Sequence, residues 1–164
     1  MMKNAYRDTR STLFPAEAGR GSGKASVLPV LCVHDNPVFL DRVCRHLEQS
    51  GDLSVEISVT VEDALQLMRY VRFDVIVTDY PPRQMEKNGF LKTVRDTGNT
   101  VPFIYFTQIR NCVVEAEARP FGAVYFVEWG EESLSQGFED LYRSVKQAAA
   151  ENRRGDVSRP GVFF

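Results

Sequence analysis

Two aspartates and a threonine are the residues whose types and places could do chemistry together. Asp35 follows the apolar run VLPVLCV (27–33), Asp79 ends FDVIVTD (73–79), and Thr107 ends VPFIYFT (101–107). Two carboxylates, a backbone carbonyl and water commonly hold octahedral magnesium when a phosphoryl group supplies the remaining oxygens. A carboxylate beside such a metal can attack phosphorus and form an aspartyl phosphate. A threonine hydroxyl is a suitable donor to the new phosphoryl oxygens. Taken singly, each aspartate reads as a cap for the turn or helix after its strand. Taken together, the three residues read as a site.

The elements that must position them alternate regularly. Strands are predicted at 27–33, LSVEISVT (53–60), 73–79, 101–107 and GAVYFVEW (122–129). Helices are predicted at 37–49, opened by Asn36-Pro37, and at 61–72, with Thr60 as N-cap. Further helices fall at about 86–96, at about 110–119, broken at Arg119-Pro120, and at 134–152. Short, continuously apolar strands alternating with helices imply a parallel sheet covered on both faces. Five such units suit a doubly wound, flavodoxin-like α/β sheet of order 2-1-3-4-5. Its ligands bind outside the strand carboxyl ends, at the switch between strands 1 and 3.

The rest of the chain narrows the function classes. With 164 residues it accommodates one domain, read as 27–150, between an N-terminal arm (1–26) and a tail (151–164). The net charge of −2 gives no field for nucleic acid or an anionic membrane, and residues 27–150 hold twelve basic against eighteen acidic side chains. No run is long enough to span a membrane and no signal peptide opens the chain, so a soluble cytoplasmic protein is expected. Cys32, Cys44 and Cys112 lack metal or redox spacing, and with His34 and His46 they make a poor zinc inventory. Ala18 to Lys24 half-matches a phosphate-binding loop, but Ala25 stands where Ser or Thr is needed, and a strand follows where a helix should. No glycine-rich loop follows the first strand, which disfavours a flavin or nucleotide enzyme, and no helix-turn-helix follows residue 150.

The motifs VLCVHDNP, DVIVTDYPP with Gly89-Phe90-Leu91-Lys92, VPFIYFT and GAVYFV occur in the order and spacing of a known family. Over about 28–150 the chain resembles the receiver domain of two-component response regulators, and most of all the stand-alone receivers common in archaea. The resemblance implies magnesium bound by Asp35, Asp79 and the Pro81 carbonyl, with Asp79 as phosphoacceptor. It also implies that Thr107 and the switch aromatic Phe126 move inward together. The implied partners are a histidine kinase or phosphotransfer protein, and a downstream protein on the helix 4–strand 5–helix 5 face. A signalling module is expected, without substrate turnover.

The pattern also departs from the family. His34 replaces the first acid after strand 1, Trp129, beside Glu128, falls on the lysine position, and Gln108 follows Thr107 where a small residue is usual. Pro81-Pro82-Arg83 and Lys87 alter the stretch after the acceptor. Loss of the lysine forfeits a charge-assisted hydrogen bond of ~1.5–3 kcal/mol, so a weakened switch is expected, to which a protonated His34 would lend a cation. The alternative is a pseudo-receiver, the same fold kept as a phosphorylation-independent docking module. Trp129 reads either as a lid on its neighbours or, with Tyr125 and Phe126, as part of a partner surface. The terminal Val162-Phe163-Phe164 reads as the end of a disordered tail.

Overall fold

The structure, a computed structural model, describes residues 26–79 and 88–157. Outside these lie the expected arm up to residue 25, the Pro81 carbonyl, Arg83, Lys87 and the end of the tail with Phe163 and Phe164. Five parallel strands, β1 (Leu28–Val33), β2 (Leu53–Ser58), β3 (Val75–Thr78), β4 (Phe103–Thr107) and β5 (Val124–Glu128), form one sheet. Its order is β2-β1-β3-β4-β5, as the alternating pattern requires.

The helices are α1 (Pro37–Leu47), α2 (Val61–Met68), α3 (Gly89–Asp96), α4 (Cys112–Ala118) and α5 (Leu134–Val157). Asn36 caps α1 by accepting from the amides of Val38 and Phe39, and Pro37 occupies the first turn, where no amide donor is needed. Thr60 caps α2 through the Asp63 amide. Asn111 caps α4 through Val113 and Val114, and Pro120 shapes a single 3-10 turn, Arg119–Phe121, after it. Helix α5 runs five residues past its expected end at 152.

Continuously apolar strands follow from a sheet buried on both faces. Val30, Cys32, Val75, Val77, Ile104, Phe106 and Val127 pack on α1 and α5. Leu31, Val33, Ile76, Phe103 and Tyr105 face α2, α3 and α4. Cys32 and Cys44 are buried thiols in the first of these layers, while Cys112 is exposed. No helix among the described residues is long and apolar enough to cross a membrane.

At the opposite end from the strand carboxyl termini, Asp52 joins the start of β2 to α5. Its carboxylate accepts from Lys146 Nζ at 2.6 Å, the Tyr142 hydroxyl and the Ser50 hydroxyl. The Lys146 bond, with the two hydroxyls, holds the carboxyl well below its usual range against the opposing pull of burial. A depressed folded pKa contributes stability that is fully present above the unfolded value and is lost as pH falls below it. Lys146→Met is therefore expected to lower stability at neutral pH, with the gap from wild type narrowing in urea unfolding below about pH 4.

Candidate phosphoacceptor site at the strand carboxyl ends

The sheet register brings the site residues to one edge. Val33 pairs with Thr78 and Thr78 with Tyr105, so His34-Asp35 and Asp79 lie just beyond adjacent strand ends and Thr107 closes β4 beside them. Asp79 is 30% exposed, Asp35 is 77% exposed, and the His34 imidazole, 17% exposed, stands between them. His34 Nδ1 lies 3.3 Å from Asp35 Oδ1 and Nε2 lies 3.6 Å from Asp79 Oδ2. The Asn36 amide donates to Nδ1 at 3.0 Å, which makes Nδ1 an acceptor and places the neutral ring's proton on Nε2, facing Asp79. An imidazolium would exchange the Asn36 bond for two ion pairs, one to each carboxylate.

Asp35 and Asp79 are oxygen donors converging on one imidazole. This donor set fits magnesium, which takes one or two carboxylates and keeps several waters. The position before Asp35 is His34, which adds no carboxylate to the set. No group of three or more metal-ligating side chains occurs among the described residues. Adding an acid with His34→Asp is expected to tighten magnesium binding at least fivefold in calorimetric titration, since a unit charge pair at 4 Å is worth ~1 kcal/mol even in water. Beneath His34 and Asp79, a cleft lined by Cys32, Phe39, Leu40 and Phe106 measures about 10 Å³, close to the lower limit for one water.

Thr107 is buried, and its hydroxyl donates to the Ile109 carbonyl at 3.3 Å, within the loop that follows β4. Gln108 is exposed and its amide donates to Glu131 at 3.4 Å. Glu128 accepts from the Arg110 amide. Trp129 stacks on Phe39 at 5.1 Å and packs beside Phe106. A Cβ on Gly137 of α5 would lie 2.6 Å from the Trp129 Cβ, so helix and tryptophan meet without spare room. Its indole Nε1 is buried with no hydrogen-bond partner among the described residues. Trp129 is thus a lid packed on the aromatic rings of Phe39 and Phe106.

The idea of a shared aromatic surface on β5 needs correction, because alternate residues of a strand face opposite sides of the sheet. Tyr125 and Trp129 face α1 and α5, whereas Phe126 faces the other layer. Burial and a bond to Glu151 push the Tyr125 phenol up to about 12. Phe126 stacks on Tyr105 at 5.6 Å, and the guanidinium carbons of Arg110 and Arg119 lie 5.7 and 5.6 Å from its ring centroid.

Both arginines pair with Glu115, which sequence reasoning missed. The Glu115 side chain is 9% exposed and takes a bidentate bond from Arg110, with Arg119 at 3.6 Å. Hydrogen bonding and charge from Arg110 hold its carboxyl below the usual range despite burial. Only the four-residue spacing of Glu115 and Arg119 signals this in sequence.

No protein-family model matches the chain, and no curated protein sequence matches it. Solved structures do. The receiver domain of a Francisella response regulator superposes with a TM-score of 0.64 at 18% identity, covering 76% of this chain and 98% of that one. The chemotaxis response regulator CheY4 of Vibrio cholerae gives 0.60 at 24% identity, over 73% and 99%. The BeF3-activated DrrB receiver domain gives 0.59 at 20% identity, over 74% and 97%. The chain has the fold of response-regulator receiver domains.

Proposed function

We propose that the chain is a receiver module of a phosphorelay, in which Asp79 accepts a phosphoryl group and the modified protein signals by contact with another protein. One observation supports this above the rest: the register sets Asp79 at the switch point, between the His34-Asp35 edge and the Thr107 strand end. In the transfer, an Asp79 carboxylate oxygen bonds to phosphorus as the P–N bond of a donor phosphohistidine breaks. The electron pair leaves with the imidazole nitrogen, which takes up a proton. The product is an acyl phosphate on Asp79, and the module turns over no substrate of its own.

Asp35 and Asp79, with the Pro81 carbonyl, would hold magnesium, which when bound supplies positive charge against the phosphoryl oxygens. Thr107 would turn its hydroxyl from Ile109 to a phosphoryl oxygen, and Phe126 would follow. The donor is a histidine kinase or phosphotransfer protein of the cytoplasm, and the reader contacts the face formed by α4, β5 and α5.

A second reading, a pseudo-receiver that docks without phosphorylation, is favoured by one specific observation. Trp129 occupies the lysine position and is packed into an aromatic cluster, so that place supplies no cation. Titration with beryllium trifluoride and magnesium, read by the amide resonances of Thr107 and Ile109, separates the two readings. Shifts in the wild type that are lost in Asp79→Asn are expected. Silence in both contradicts the phosphoacceptor reading.

A further inference from the structure

We propose that Glu115, Arg110 and Arg119 form an autoinhibitory clamp that holds Phe126 and α4 in the unphosphorylated arrangement. The clamp rests on the phosphoacceptor reading for its trigger but not for its geometry. The ring of Phe126 stacks on Tyr105, and two guanidinium groups lie over it at 5.7 and 5.6 Å. Both guanidiniums are tied to one buried carboxylate on α4, so the ring shifts only if these pairs shift with it. A desolvated carboxylate strongly resists losing its cations, because an uncompensated buried charge is costly.

The support beneath the ring belongs to the same assembly. The Tyr105 hydroxyl donates to Asn88 Oδ1 at 2.8 Å, and Asn88 Nδ2 donates to the Val114 carbonyl of α4 at 3.3 Å. Asn88 therefore joins Tyr105 to α4, and Glu115 joins α4 to the two guanidiniums over Phe126. Pushing the aromatic inward disturbs both ties.

The trigger lies one residue away. The Thr107 hydroxyl binds the Ile109 carbonyl, and the next residue, Arg110, is held by its amide to Glu128 and by its side chain to Glu115. A hydroxyl that turns to a phosphoryl oxygen frees Ile109 and loosens the loop that carries Arg110. The clamp so converts a hydrogen-bond exchange at Thr107 into release of α4.

Hydrogen exchange on the full chain tests this with Glu115→Gln and with the double variant Arg110→Gln/Arg119→Gln. Amides of the β4–α4 loop and α4 are expected to exchange about tenfold faster in both, a loss of local protection of ~1.4 kcal/mol, with α1 and α5 unchanged. The two arginines are exposed, so the double variant decides the matter if Glu115→Gln fails to fold. Unchanged α4 exchange in a double variant whose α1 and α5 remain protected would overturn the clamp. Beryllium trifluoride with magnesium should accelerate the same amides in the wild type but not in Asp79→Asn. Fast exchange in the variants with no response to beryllium trifluoride keeps the clamp and overturns its trigger together with the phosphoacceptor reading.

Discussion

Asp79→Asn is expected to abolish uptake of a phosphoryl group from acetyl phosphate and magnesium, whereas the wild type gains one, as read by intact mass. The carboxylate oxygen is the nucleophile in this account, and an amide at the same place keeps the shape but removes the anion. Asp35, more exposed and on the far side of the imidazole, does not substitute for it. Uptake by Asp79→Asn at the wild-type rate would place the acceptor elsewhere. The variant should fold normally, because Asp79 lies at the rim, partly exposed, rather than in either core layer.

Trp129→Lys is the second large effect, and it acts in two directions. A lysine here puts a cation where Trp129 now stands, a charge-assisted bond of ~1.5–3 kcal/mol, so retention of beryllium trifluoride should improve about tenfold or more. The same change removes a ring that stacks on Phe39 and packs beside Phe106 and Gly137. Removing large aromatics from packed positions costs about 3–5 kcal/mol when truncated to alanine, and the lysine stem retains part of that contact. Urea unfolding should thus show a loss of about 2–3 kcal/mol. Tighter binding with lower stability is the expected signature. Lower stability without tighter binding would mean that Trp129 does not stand where the phosphoryl group is read.

The fold was legible because its signals are local and repeated. The apolar runs of β1, β3 and β4, the Asn36-Pro37 cap and the Thr60 cap each specify an element without reference to any other. The switch-point logic then placed Asp35, Asp79 and Thr107 at one edge, where the structure holds them. What was not legible depends on side-chain direction and on partners distant in sequence. The surface imagined for Tyr125, Phe126 and Trp129 divides between two faces because strand period is two residues. Gln108 turns to Glu131, twenty-three positions away, and nothing in either neighbourhood announces the pair. The packing of Arg110 and Arg119 over Phe126, and the tie of Tyr105 to α4 through Asn88, arise only once β4, β5 and α4 are assembled.

In the proposed mechanism Asp79 carries the signal as an acyl phosphate. Borohydride reduces such a group to the alcohol, so peptide mapping of the phosphorylated and reduced wild type reports the modified residue directly. Homoserine at position 79 is the expected result. Homoserine at another aspartate, or none in protein shown by mass to be phosphorylated, would contradict the account.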